Sequence, residues 1–433
     1  MMQIDALLKD CDFVAVATPD NCGRLIGKRR PVADWPMLRA DGMAMPDFHL
    51  VTGLENRPLA NMAVTGEATG FHNGRLFPDP SAAFRSPAEP RTAYVLAEAR
   101  HADGTVCEQA PRQILAAQIA RLAAKGITAR AASELEFYAF RAPFAALRDT
   151  GFAGSPLYHR GGDNDLLVSG HGAVFYGAIV AALNASNIIV DQMQGEAGPG
   201  QCEINIAPLP LAKAADTHAA FKHLVKAAAH GLDHAVTFLA KPFAAEAPSG
   251  GHMHLNFARA DGINALADEG GLTAFGAAFL AGIVAFTPGL VLLSAPYQNS
   301  YRRLQPGSFA PMRANWGFES RSVMLRLLGT ANALRMEFRL PGADVNPYLA
   351  YAAVIAAGLH GVEANATLPP ERDGPPLPAD LTEAVQAFEA SAMATAAFGP
   401  VVKQHLAGLA RHELAASRCA ISDWEIRRGF EEA

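Results

Sequence analysis

The sequence predicts an α+β fold in two parts: a small β-rich domain over residues 1–103 and a larger α+β domain over 104–433. Three observations carry this. Short apolar runs broken by turn residues fill the first hundred positions. After Asp103-Gly104 the texture changes, and helical spacing alternates with strand-like segments. Within this second part, several stretches set acids, histidines or arginines two apart around apolar residues, as in Glu134-Leu135-Glu136, His252-Met253-His254 and Arg335-Met336-Glu337-Phe338-Arg339. In a strand, residues i and i+2 share a face. The charged side chains then face one open surface, while Leu135, Phe137, Met253, Met336 and Phe338 face a core.

The elements follow in order. Phe13 to Val16 reads as a strand, Pro19-Asp20-Asn21 as a turn, and Gly23 to Lys28 as a second strand leading into Pro31. Asn73-Gly74, bracketed by Phe71 and Phe77, predicts a hairpin turn. Pro111 opens a helix with Leu115, Ile119 and Leu122 on one face and Gly126 just past its end. A strand follows over 133–138. The apolar run Gly276 to Pro296 has the length of a membrane span, but Pro288 interrupts it, which predicts a buried helix and a second short element. Asn346-Pro347 caps a helix running to about Gly361, and the proline-rich stretch 368–379 is a connector. Asp380 caps a terminal helical region, with Glu383 at the capping-box position.

Half of the residues are hydrophobic and 18% are charged, so a large core is expected and disorder is not. The net charge of −6, without a basic run, argues against nucleic acid. Met1 to Asp5 carries no basic start with an apolar stretch behind it, so no signal peptide is expected. The cysteines at 11, 22, 107, 202 and 419 form no metal-binding spacing, which fits a reduced, cytoplasmic protein with Cys202 as a packed bystander.

The charged stretches carry the chemistry. A lone Glu-x-Glu is more often a solvated edge, but Phe137 and Tyr138-Ala139-Phe140 place this one centrally, where carboxylates need cations. Gln194 to Glu203 holds three glycines and a proline, a tight connection with Glu196 and Glu203 at its ends. His252 and His254 follow Ser249-Gly250-Gly251 on one face. Arg303, Arg321, Arg326, Arg335 and Arg339 supply fixed donors for carboxylate and phosphate oxygens. Together they describe a phosphoryl-transfer pocket that works by positioning and charge neutralisation. Neither nucleotide-binding loop, the P-loop or the Rossmann fingerprint, is present.

The order and spacing of these motifs resemble the glutamine synthetase superfamily, in its γ-glutamyl-amine ligase branch. The matching stretches are Glu134-Leu135-Glu136-Phe137, Glu196 to Glu203 around Gly198-Pro199-Gly200-Gln201, Gly251-His252-Met253-His254, and Asn299-Ser300-Tyr301-Arg302-Arg303-Leu304. Trp316-Gly317 through Arg321 to Arg326, Glu337-Phe338-Arg339 and Asn346-Pro347-Tyr348 complete them. The resemblance implies a β-grasp N-terminal domain and a catalytic domain with a curved antiparallel sheet flanked by helices. It implies two or three Mg²⁺ or Mn²⁺ ions per site, the first on Glu136, Glu196 and Glu203 and the second on Glu134, His252 and Glu337. ATP contacts fall on His254, Asn256, Arg326 and Arg335, and glutamate contacts on Arg303, Arg339 and Gly250. Arg321 and Arg339 take catalytic roles. It also implies a homo-oligomer, a dodecamer of two hexameric rings, with the site between adjacent subunits.

The departures choose the nucleophile. Phe309 stands where glutamine synthetases carry a flap Glu that helps deprotonate ammonium, Ser320 where Asn is usual, and Pro248 where Gly is usual. Phe309 can neither hold ammonium nor take its proton, but it can line a pocket for an organic amine. The leading reading is therefore an ATP-dependent ligase joining glutamate to a small amine through γ-glutamyl phosphate, with Glu319 as candidate anion. The alternatives are glutamine synthetase itself and a non-catalytic structural relative. Neither nucleic acid nor a membrane is expected as a partner.

Overall fold

A computed structural model describes residues 4–432; the opening Met1 to Gln3 lies outside the described residues. The N-terminal sheet contains β1 (Phe13–Pro19), β2 (Leu25–Pro31), β3 (Met43–Pro46), β4 (Asn73–Ser86) and β5 (Glu89–Arg100), in the order β2–β1–β5–β4–β3. β1 and β5 run parallel and the other neighbours antiparallel, a mixed sheet of the β-grasp kind. Both its faces are covered, which explains runs of apolar residues where alternation would mark a half-exposed sheet. Val14, Val16 and Val95 face a local core with Leu38 and Leu76. Ala15, Tyr94 and Leu96 point the other way, into a core shared with Phe137, Phe175 and Phe221 of the larger domain.

One turn prediction fails here. Asn73 and Gly74 open β4 and pair with Pro46 and Met45 of β3. The left-handed residues lie just upstream, at Gly70 (φ +73°) and Phe71 (φ +50°). The strand that needed a partner found a distant one, so the local turn signal lost.

The larger domain is organised by a nine-stranded sheet. Its path runs from Trp316–Phe318 through Leu325–Leu328, Arg335–Phe338 and Gly251–Arg259 to β6 (Ile127–Phe140), then past β7 (Val190–Gly195), which takes the far edge, through β8 (Gln201–Ile206) beside β6. All named neighbours are antiparallel except the first pair, which is parallel. Registration sets the site. His252 lies opposite Glu134, Glu136 opposite Glu203, and Glu337 opposite both His254 and Arg326. On the reverse face Leu135, Phe137, Met253, Leu255, Met336 and Phe338 are buried in the core, as the alternation predicts.

Helices cover that reverse face. Pro111–Ala123 begins with its proline at the first turn, and Gly126 takes φ +72° just beyond the end. The apolar stretch divides as expected, into the helix Ala274–Phe286 and a 3₁₀ segment Thr287–Leu293 containing Pro288. It is long and apolar enough to cross a membrane, yet it packs inside the protein against the helix Pro347–Glu363. Gly282 meets Gly361 at this crossing, where a Cβ on Gly282 would come within 2.6 Å of the Gly361 backbone. Proline 347 starts its helix, and the Asn346 side chain accepts from the Tyr348 amide at 3.1 Å. The Asn346 side-chain amide also donates to the carbonyls of Asp20 and Asn21, both at 3.1 Å, tying the β1–β2 turn to this helix. Asp380 caps Leu381–Ala390 as read, but Glu383 reaches the Ala379 amide, one residue further back than a capping box requires.

A second tie holds the two domains together. Arg112 is bidentate to Asp216 and also meets Asp79 of β4 at 2.7 Å, while the buried Tyr348 hydroxyl donates to Asp216 at 2.8 Å. Asp216 is 2% exposed, so removing it leaves a largely buried guanidinium with one partner. Asp216→Ala should cost on the order of 3–5 kcal/mol, the range for breaking a buried ion pair from one side. Denaturant titration checks it: a loss under about 1 kcal/mol, the worth of an exposed pair, would refute the assignment.

Candidate active site

The open face of the large sheet forms the floor of a cavity of about 1620 Å³. Glu134, Glu136, Glu196, Glu203, Gly250, His252, His254, Asn256, Arg303, Phe309, Arg321, Arg326, Arg335, Glu337 and Arg339 all line it. Of the residues singled out from sequence, Glu319 alone does not. It is exposed, with φ +51°, and pairs with Arg326 at 3.2 Å outside the wall. The parallel strand pairing beside it turns that carboxylate towards an arginine and away from the floor.

Two acid sets overlap. Donor atoms of Glu134, His252 and Glu337 lie within 4.8 Å of one another, and so do those of Glu134, Glu136 and Glu203. The first is the set read from sequence. The second substitutes Glu134 for Glu196, because β6 carries Glu134 and Glu136 side by side beneath both groups. Glu196 is set at the start of the β7–β8 turn, where Gly200 takes φ +67°, and accepts from Gln194 at 2.9 Å.

The electrostatics divide along the same line. Burial pulls the Glu134 carboxyl up, but hydrogen bonds and charge from His252 (2.6 Å) and His254 (3.2 Å) hold it well below the carboxylate range. Glu337 is likewise held low against its burial by His252 and Arg339, and it accepts from Arg326 at 3.0 Å and from Arg339. Glu203 has no such partner, and Glu136 feels only the charge of Arg303 and the Gly250 amide against its burial. Burial, then the charge of Glu196, pushes Glu136 up to about 8. Burial, then the charges of Glu134, Glu136 and Glu196, pushes Glu203 up to about 10. Facing carboxylates with too little positive charge between them suit a divalent cation, and the oxygen-rich donor set with one imidazole fits Mg²⁺ or Mn²⁺.

The surrounding contacts fix these groups. The Gly250 amide donates to Glu136 at 2.8 Å, and a Cβ at 250 would come within 2.8 Å of both the Glu136 carboxylate and the His252 ring. Only glycine lets the chain pass so close. Arg303 is buried and its Nη groups donate to the carbonyls of Leu340 (2.8 Å) and Arg339 (3.1 Å), leaving a buried Nε without a partner. Asn256 donates to the Leu334 carbonyl at 2.9 Å. Arg321 and Arg335 are exposed on the wall. Phe309 does not line an enclosed apolar pocket; it is 83% exposed at the rim, with φ +56°.

Gln201 was missed. Its amide donates to Glu136 at 3.1 Å and to the Pro248 carbonyl at 3.0 Å, joining the acid cluster to the loop above it. Its place two residues before Glu203 on β8 was the available signal. Cys202 points to the core, fully buried, with its thiol pushed up to about 12 by burial.

A pH dependence follows. Glu136 and Glu203 have folded pKa values above the unfolded carboxylate value of about 4.3, so their burial is tolerated below that value. It destabilises the protein as pH rises through about 8 and about 10. In EDTA, the melting temperature should fall between pH 6 and pH 9, Glu203→Gln should flatten that fall, and Mg²⁺ should raise the wild type more than the variant. A wild type that melts no lower at pH 9 than at pH 6 would contradict the buried repulsion.

Comparison with known proteins agrees with this geometry. The family model for the glutamine synthetase catalytic domain matches residues 108–429. A gamma-glutamylethanolamide synthetase of Streptomyces coelicolor is 37% identical over 431 residues, covering 98% of this chain and 93% of the relative. A glutamate–isopropylamine ligase of a Pseudomonas species is 33% identical over 397 residues, covering 88% of this chain and 84% of the relative. A solved GmaS/ADP complex superimposes with a TM-score of 0.85 at 26% identity, covering 100% of this chain and 99% of the other. The chain belongs to the glutamine synthetase family.

Proposed function

We propose that this protein is an ATP-dependent glutamate–amine ligase, joining the γ-carboxylate of glutamate to a small organic amine. The observation that carries the reading is a cavity floor of paired acids and arginines beside a rim loop, residues 305–309, that contains no carboxylate. The floor suits phosphoryl transfer to a carboxylate. The loop lacks the anion that ammonium needs, and the two relatives described above are named for ligation of organic amines.

In this reading Glu134, His252 and Glu337 hold one divalent ion, and Glu136, Glu203 and Glu196 another. When bound, the ions neutralise the acids and the phosphate oxygens together. His254, Asn256, Arg326 and Arg335 receive ATP. Arg303 and Gly250 receive glutamate, and Arg321 and Arg339 face the transferring phosphoryl group. An oxygen of the glutamate γ-carboxylate attacks the γ-phosphorus, and the bond to the ADP oxygen breaks. The amine, having released its ammonium proton to solvent, then attacks the acyl carbon, the bond to phosphate breaks, and the nitrogen gives its second proton to the departing phosphate as the amide forms. Positioning and charge neutralisation supply most of the acceleration.

The same reading takes residues 1–103 and 104–433 as the domains, the free cysteines as marks of a reducing cytoplasm, and the assembly as two stacked hexameric rings. A fully active monomer in light scattering would refute the assembly.

With glutamate, ATP and Mg²⁺, the protein should form a γ-glutamyl amide from ethanolamine or isopropylamine, releasing one ADP and one phosphate per amide. Ammonium should be the poorer substrate, and Phe309→Glu should shift preference towards it. Ordinary glutamine synthesis with no amide from any amine would replace this reading with glutamine synthetase. Glu136→Ala should fold normally, since it relieves repulsion, and lose about 10³-fold or more in turnover, because a displaced catalytic charge costs several kcal/mol. Wild-type kinetics in that variant would refute the metal assignment.

A further inference from the structure

The geometry points to Glu246 as the anion that receives the ammonium end of the amine, with the small residues beside it taking the amine's carbon body. This deepens the ligase reading above and rests on it.

Glu246 is the single charge in the run Ala244-Ala245-Glu246-Ala247-Pro248, every member of which lines the main cavity. Ala244, Ala245 and Glu246 also line a neighbouring cavity of about 1120 Å³ that contains Phe243 and Trp424, so the run is a thin wall between the two. It is fixed in place. The Tyr138 hydroxyl donates to the Ala247 carbonyl at 2.7 Å, and Gln201 donates to the Pro248 carbonyl at 3.0 Å. Because Gln201 also holds Glu136, the wall hangs from the strands that carry the acids. Glu246 lines both cavities, and after burial the charge of its carboxylate is the next cause that raises the Tyr138 hydroxyl of the neighbouring cavity.

The carboxylate is also free. Glu246 is half-buried, and Lys241 gives its ammonium to the backbone carbonyl of Glu246 and forms no ion pair with the carboxylate. The other acids on the wall are less suited. Glu134, Glu136, Glu203 and Glu337 belong to the two clusters, Glu196 accepts from Gln194 at 2.9 Å, Asp163 is exposed and accepts from Asn164 at 2.7 Å, and Asp191 is exposed. Glu319 is spent on Arg326. A free, half-buried carboxylate flanked by methyl groups matches an alkylammonium ion, charged at one end and apolar at the other. A bare ammonium ion would use the charge and leave the methyl-lined wall uncovered.

The test compares wild type, Glu246→Gln and Asp163→Asn in the amide-forming assay with ethanolamine and with isopropylamine. Glu246→Gln should raise the KM for both amines roughly 10- to 100-fold, the loss of one charge-assisted contact. The KM values for glutamate and ATP should stay within about twofold, as they should for uncoupled binding. Hydroxylamine, largely uncharged at neutral pH, should be used equally well by wild type and variant, a readout that a damaged fold would not spare. Glu246→Asp should recover part of the loss. An unchanged amine KM in Glu246→Gln overturns the inference, as does a rise shared by glutamate, ATP and hydroxylamine. A large effect confined to Asp163→Asn moves the role to that residue. A wild type that forms no amide with either amine removes the ligase reading itself, and this inference with it.

Discussion

Four carboxylates and two imidazoles crowd the floor of one cavity, and the cost of gathering like charges away from water is the constraint that the rest of the structure answers. Antiparallel pairing about β6 sets Glu134 against His252 and Glu136 against Glu203. One pair is joined by a hydrogen bond and settles itself. The other is alike and does not, which is why the two halves of the floor hold their protons so differently. The aromatic and aliphatic residues beneath keep the strands flat against the helices, so the acids cannot relax apart.

Glu134 belongs to both acid sets, so they are one electrostatic unit. Filling one set changes the charge felt by the other through that shared carboxylate. The arginines form the opposite wall. Arg326 and Arg339 are already hydrogen-bonded to Glu337, which leaves their charge partly compensated before any substrate arrives. In the ligase reading proposed above, a phosphate would compete with Glu337 for them, and a cation on Glu337 would release them.

Much of this was legible in the sequence because alternation in strands is a local property. Leu135 and Met253 against Glu134 and His252 gave both the core face and the open face, and Pro111, Asn346-Pro347 and Asp380 marked helix starts by chemistry that acts within one turn. What depends on partners was not legible. Which acids stand close together follows from register, which sets Glu134 within reach of His252 and Glu337 and also of Glu136 and Glu203. Asn73-Gly74 carried a hairpin signal that β3 overrode by pairing. Glu319 is close to the arginine stretch along the chain and in space, but it is exposed and paired with Arg326, a partner that its sequence position does not reveal. Glu246 carries no local mark at all; only the fold puts it on the cavity wall.

The side chain of Asn346 accepts from the first turn of one helix and donates to two carbonyls of the β1–β2 turn more than three hundred positions earlier. A single amide group thus completes a helix start and a domain contact together. The oxygen of the amide caps the helix and its nitrogen holds the turn, so the geometry that starts the helix also aims the donor at the N-terminal sheet. Domain docking and helix initiation thus share one side chain, and a chain cut between the two parts would keep the cap but leave both donors of that amide without their carbonyl partners.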